Sequence, residues 1–120
     1  MEINQLTEKV IGCAYTVTNA LGSGFLEKVY ENALAVELRK QGLNFEQQQE
    51  IKVKYDNVIV GNYMADLLVE GMLIIELKAV RSLDQNHTAQ CLNYLRATGL
   101  KVCLLLNFGN PKLQIKRFSN

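Results

Sequence analysis

Apolar residues recur at helical spacing at Leu6, Val10, Ala14, Val17 and Leu21, which predicts a helix over residues 6–21. Gly22-Ser23-Gly24 breaks it. A second stripe of Leu26, Val29, Tyr30, Ala33, Leu34 and Leu38 predicts a helix over about residues 26–40, with Gly42 as its stop signal. The period then shortens to two. Ile51, Val53 and Tyr55 alternate with Lys52 and Lys54, as on a half-exposed strand, and Asp56-Asn57 reads as a turn. Val58 to Val69 reads as a strand bent at Gly61, followed by a tight hairpin at Glu70-Gly71. Met72 to Val80 carries Leu73, Ile74, Ile75 and Leu77 on both faces and so belongs in the middle of a sheet. Leu83 to Thr98 predicts a third helix ended by Gly99, and Val102 to Leu106 another buried strand. After a turn at residues 107–111, Leu113, Ile115 and Phe118 suggest a final edge strand. The order α-α-β-β-β-α-β-β describes a mixed α/β sheet built from a meander and a helical crossover.

The chain has 120 residues, with no Ser/Gly-rich linker and no internal repeat, so one domain over residues 1–120 is expected. Lys and Arg number 13 against 12 Asp and Glu, so no bulk charge draws the chain to nucleic acid or lipid, and a nucleic-acid partner needs a local patch. The apolar runs are too short to span a bilayer. The first residues lack the basic-then-apolar pattern of a secretory signal, so the expected address is the cytoplasm, without membrane contact. Cys13, Cys91 and Cys103 are widely spaced beside apolar residues, which reads as reduced, partly buried thiols. With His87 as the sole histidine, an HExxH zinc site is excluded.

Three charged residues stand out against apolar surroundings: Asp66 in Met64-Ala65-Asp66-Leu67-Leu68, and Glu76 and Lys78 in Ile74-Ile75-Glu76-Leu77-Lys78-Ala79. Period two puts Glu76 and Lys78 on one face of their strand. A two-residue turn at Glu70-Gly71 sets Asp66 across from Ile75. A three-residue loop centred on Gly71, or a bulge, sets it across from Glu76. In the second register the two carboxylates converge, repel one another and lose hydration. A divalent cation offsets both costs, and hard oxygen ligands suit magnesium or manganese. Lys78 is then placed to serve an attacking water and to offset charge on a phosphate. The plainer alternative leaves Asp66 and Glu76 at strand ends, facing solvent or paired with Lys78.

This arrangement resembles the PD-(D/E)XK nuclease superfamily, whose core is αβββαβ with the site on the second and third strands. Asp66 stands at the motif's Asp and Glu76-Leu77-Lys78 at (D/E)XK, with Ala65 in place of the motif's Pro. Gly24-Phe25-Leu26-Glu27-Lys28-Val29-Tyr30 fits GxxExxY, the signature of the small GxxExxY protein family, and residues 75–80 and 87–95 are similar to the same family. The resemblance covers nearly the whole chain. Members often carry a histidine where Thr18 stands here. The resemblance implies a nuclease-like α/β fold, a mixed sheet flanked by helices, and magnesium- or manganese-dependent hydrolysis of phosphodiester bonds in DNA or RNA. It implies Asp66 and Glu76 as metal ligands, the Leu77 carbonyl as a third, and Glu27 as a further ligand or supporting carboxylate. Lys78 completes the catalytic set.

Tyr30, three residues after Glu27, reads first as core, with a hydroxyl able to reach the site. Gln90 and Tyr94 resemble the Gln-xxx-Tyr helix motif of RecB-like nucleases, which helps position the catalytic Lys and the nucleic acid. Their spacing alone equally describes a polar flank beside Cys91, Leu92 and Leu95. His87, on the same stripe, reads as a surface or structural residue. Lys112, Lys116 and Arg117 form a small basic cluster, which reads first as a solvated sheet edge that discourages sheet-to-sheet pairing and alternatively as a contact for a phosphate backbone. A homodimer or a partner subunit remains open. The rival to an enzyme is a non-catalytic module of the same fold that binds nucleic acid or protein. Near-neutral charge favours that rival; retention of Asp66, Glu76 and Lys78 favours the enzyme.

Overall fold

The computed structural model describes residues 1–120. Glu2 starts the first helix, α1 (Ile3–Leu21), three residues ahead of its apolar stripe. Its carboxylate accepts the Gln5 N–H at 2.7 Å while the Gln5 side chain accepts the Glu2 N–H, so two orphan donors are satisfied at once. The second helix, α2 (Glu27–Lys40), has no side-chain cap; Glu27 in its first turn and Arg39 and Lys40 in its last complement the helix dipole. Tyr30 fastens the loop between these helices. Its ring stacks on Phe108 with centroids 4.8 Å apart. Its hydroxyl donates to the Gly22 carbonyl at 2.7 Å and accepts the Phe25 N–H at 3.1 Å.

Five strands follow: β1 (Phe45–Tyr55), β2 (Val58–Val69), β3 (Leu73–Lys78), β4 (Val102–Asn107) and β5 (Gln114–Ser119), with α3 (Gln85–Thr98) between β3 and β4. They form one sheet in the order β1-β2-β3-β4-β5. Only β3 and β4, joined through α3, run parallel. Helices α1 and α2 cover one face, where Leu6, Val10, Leu34 and Leu38 meet Leu67, Ile75, Leu77 and Leu104. Helix α3 covers the other, where Cys91, Tyr94 and Leu95 meet Ala65, Ile74, Cys103 and Leu105. Both faces of β3 and β4 are therefore buried, which is why these strands read as continuous apolar runs. The three cysteines are buried and free. No helix is long and apolar enough to cross a membrane.

The boundaries differ from the periodicity in instructive places. β1 begins at Phe45, six residues before the alternation at Ile51, because Glu46 to Glu50 are held by pairing with β2 and not by an apolar pattern of their own. The bend expected at Gly61 is a register shift: Val53 pairs with Gly61 and Lys54 with Ile59, leaving Val60 extra. Asp56 and Asn57, both left-handed, close the β1–β2 hairpin in two residues. α3 begins at Gln85 and not at Leu83, because the Asp84 carboxylate accepts the Asn86 and His87 N–H groups. His87 returns the favour through Nδ1, which accepts the Asp84 N–H at 3.1 Å, so it is part of a helix cap. Beyond β3, the buried Asn107 side chain accepts the Val80 N–H and donates to the Val80 carbonyl, holding the segment that leaves Lys78.

Candidate active site

The connection between β2 and β3 has three residues, Glu70 to Met72, with Val69 paired to Leu73. Glu70 and Gly71 are both left-handed, at φ 53° and 66°. Glu70 is anchored from outside: its N–H donates to the Asn44 carbonyl and its carboxylate accepts the Asn44 N–H, each at 2.8 Å. This selects the register that brings Asp66 opposite Glu76, one step beyond the last ladder pair, Leu67 with Ile75. There the two side chains replace the ladder. Glu76 Oε1 accepts the Asp66 N–H at 3.2 Å, and Asp66 Oδ2 accepts the Leu77 N–H at 2.8 Å.

The strands also roll over at this level. Ala65 packs beneath α3 whereas Leu67, two residues on, packs beneath α1 and α2. In a regular strand, residues two apart share a face. The partner strand does the same around Gln48, which lies in register with Asp66 and is left-handed at φ 54°. Phe45 packs on the α1–α2 side, while Ile51 faces α3. This paired rollover opens the sheet where Asp66 and Glu76 meet.

Glu76 is only 2% exposed. Burial, and then the charge of Asp66, push its carboxyl up to about 9, so in the absence of a cation it carries a proton at neutral pH. Glu27, on the first turn of α2, is also raised, first by burial and then by Asp66, with Lys78 opposing. The same electrostatic neighbourhood thus includes Glu27, Asp66 and Lys78, although no three His, Cys, Asp or Glu side chains converge tightly enough to form a ready-made metal cage. Glu27, expected among the ligands, stands beside the Asp66–Glu76 pair and does not close it into a triad.

Two residues that periodicity did not single out complete the surroundings. Gln48 Nε2 donates to Asp66 Oδ1 at 3.3 Å and to Glu31 Oε1 at 2.9 Å. Glu31, 2% exposed, also accepts from Gln47 and pairs with Lys28 at 3.0 Å. The sequence signal for Glu31 was a charge on the apolar stripe of Leu34, Ala35 and Leu38. Gln48 carried no signal, since its role comes from a left-handed backbone that the pattern does not announce.

Tyr30 does not join the carboxylates by hydrogen bonding; its hydroxyl is engaged by Gly22 and Phe25. Gln90 and Tyr94 do act together: Gln90 Nε2 donates to the Tyr94 hydroxyl at 2.9 Å, which donates to the Met64 carbonyl at 3.2 Å. Burial, and then Glu76, raise the Tyr94 phenol to about 12, so it remains a donor. Thr18 is buried, and its hydroxyl has no hydrogen-bond partner.

The donor set fits a hard divalent ion. It consists of two carboxylates from adjacent strands, with no soft ligand, and a protonated Glu76 is a carboxyl whose charged form lacks compensation. Asp66 and Glu76 are the residues that would hold such an ion, and two protein carboxylates leave room for the waters magnesium retains.

Residues 4–118 match the family model of the PD-(D/E)XK nuclease superfamily, and the chain belongs to that superfamily. Its nucleases generally use divalent metal ions. The fold is similar to the crystal structure of an alkaline exonuclease, LHK-Exo, from Laribacter hongkongensis, with a TM-score of 0.58 and 14% identity over 78% of this chain and 55% of the other. It is also similar to the crystal structure of SSO0001, with a TM-score of 0.58 and 18% identity over 98% of this chain and 58% of the other. The chain thus spans little more than half the length of either, and at these identities the likeness is one of fold. No curated protein matches it significantly.

Proposed function

We propose that residues 1–120 act as one domain, a nuclease of the GxxExxY type that hydrolyses phosphodiester bonds in DNA or RNA with magnesium or manganese. The observation that carries this reading is the convergence of two carboxylates where the β2–β3 ladder ends, Glu76 accepting the Asp66 N–H and Asp66 accepting the Leu77 N–H. A folding requirement alone would favour ladder hydrogen bonds and apolar side chains there, since a buried carboxyl beside a second carboxylate is costly. When bound, the ion supplies a Lewis acid for the phosphoryl oxygen and makes a nearby water more acidic.

The chain's own residues do the rest. Asp66 and Glu76 hold the ion. Leu77 turns its N–H toward Asp66, and a strand residue's N–H and C=O face the same neighbour, so its carbonyl looks into the same opening and serves as a further ligand. Lys78 is partly exposed on the Glu76 face, where its ammonium orients the attacking water and balances charge on the phosphate. Glu27 tunes the field around Asp66, and Gln90 and Tyr94 line the approach. Buried free thiols suit a reducing compartment such as the cytoplasm.

The test is incubation of purified protein with plasmid, single-stranded DNA and RNA, with EDTA, magnesium or manganese. Cleavage that requires the ion and disappears in Asp66→Asn supports the reading. Absence of cleavage with every ion and substrate contradicts it and favours a non-catalytic module. Gln48 gives a finer prediction. Gln48→Ala removes a donor from Asp66 and from Glu31, and manganese affinity measured by calorimetry falls about 10- to 100-fold, as for other outer partners of metal ligands. Unchanged affinity would make Gln48 a bystander.

A further inference from the structure

Between the outer half of the β1–β2 hairpin and α3 runs an open groove of about 1060 Å³ lined by 14 residues. Its fully charged lining is entirely basic, Lys52 and Lys54 from β1 and Arg96 from α3, and it contains no Asp or Glu. That is a local departure from a chain with 13 bases and 12 acids. Lys52 reaches Glu50 at 3.4 Å, but both are exposed, and such pairs contribute little. Lys54 and Arg96 have no carboxylate partner; the Arg96 side chain donates to Asn93 Oδ1 at 3.5 Å. Tyr63 lines the groove with 53% of its surface exposed, its ring 6.1 Å from that of Tyr94. Tyr94, also on the groove wall, bonds the Met64 carbonyl, two residues before Asp66.

We infer that this groove binds a single polynucleotide strand, with phosphates against Lys52, Lys54 and Arg96 and a base stacked on Tyr63. Cations that track a backbone, combined with an accessible aromatic face, are what sequence-tolerant single-strand recognition uses. A duplex covers its base faces by stacking and presents nothing for Tyr63 to receive. An acidic peptide would satisfy the cations and leave the aromatic wall without a role. The inference deepens the nuclease reading, on which the fate of the bound strand rests; the binding itself does not require an ion.

The experiment measures fluorescence anisotropy in EDTA with labelled oligo(dT), oligo(rU) and a DNA duplex of about twelve nucleotides or base pairs, within the range such grooves cover. Either single strand binds at least about tenfold tighter than the duplex, and the tighter of the two identifies the sugar. Lys54→Ala combined with Arg96→Ala weakens strand binding about tenfold or more and lowers the salt slope by about 1.4, from about 0.7 per phosphate contact on single strands. Tyr63→Ala weakens binding about 5- to 100-fold with the slope unchanged, as expected for loss of one stacked base. All three substituted residues are exposed, and circular dichroism verifies the fold. Equal or tighter duplex binding overturns the inference, as do variants that bind like the wild type, or competition by poly-glutamate as effective as that by oligo(dT). Cleavage by a protein whose strand binding ignores these substitutions removes the groove alone. Strand binding through the groove without cleavage under any ion removes the nuclease reading alone.

Discussion

Under the proposed nuclease function, Glu76→Gln is expected to abolish ion-dependent cleavage and, in EDTA at pH 8, to raise the melting temperature. Both effects follow from one feature: a carboxyl buried beside Asp66, with its proton affinity pushed up to about 9. In the unfolded chain the same group titrates near 4.5. Between those values the native state holds a proton that the unfolded state has released, so the ion-free wild type loses stability as pH rises through that window. The stabilising contribution is complete below about 4.5 and gone above about 9. Glutamine keeps the acceptor for the Asp66 N–H at 3.2 Å and carries no charge, so the variant lacks this slope. Its melting temperature matches the wild type near pH 5 and exceeds it by about 4 °C or more at pH 8, the shift expected for about 1 kcal/mol in a domain of this size. Loss of a ligand costs more than loss of an outer partner, so cleavage falls by more than about 100-fold. A variant less stable than wild type at pH 8, or one that cleaves normally, contradicts the assignment.

Gly109→Ala produces the largest expected loss of stability. A Cβ built on Gly109 overlaps the backbone oxygen, nitrogen and carbonyl carbon of Val80, the last at 2.6 Å. The obstacle is main chain, so no side-chain rotation relieves it. Nor can Val80 retreat freely, because Asn107 holds both its N–H and its carbonyl, and the same Asn107 oxygen accepts the Gly109 N–H at 3.0 Å. Overpacking of this kind costs about 3 kcal/mol or more. The expected result is a fall of at least about 12 °C in melting temperature by calorimetry. A fall under about 2 °C would show that the turn after β4 yields more easily than its hydrogen bonds imply. Val80 lies two residues beyond Lys78, so a surviving variant also reports on how firmly the lysine strand is held.

The candidate site was legible in the sequence wherever charge interrupts an apolar pattern. Asp66 and Glu76 announced themselves as charges within apolar strands, and Lys78 by period two from Glu76. What the pattern left open was register, since Glu70-Gly71 admits either a two-residue or a three-residue connection. The choice comes from Asn44, which grips Glu70 from the residue just before β1, at the open end of the β1–β2 ladder. The same limit hid the first half of β1. Gln47-Gln48-Gln49 has no strand character of its own, and its conformation is imposed by β2 and by Glu31. Tyr30 shows the converse. GxxExxY placed it beside Glu27, but stacking on Phe108 and bonds to the loop of Gly22 and Phe25 make it a clamp of the α1–α2 turn. The groove joins residues from two distant segments and could not be read from either alone.

A crystal grown with manganese, with anomalous diffraction recorded at the metal edge, is the most direct measurement of the central claim. The account predicts one strong peak between the Asp66 and Glu76 carboxylates, within bonding distance of an oxygen from each and lost in Asp66→Ala. A peak elsewhere on the molecule, or carboxylates still bonded to the Asp66 and Leu77 N–H groups with no metal between them, would contradict it.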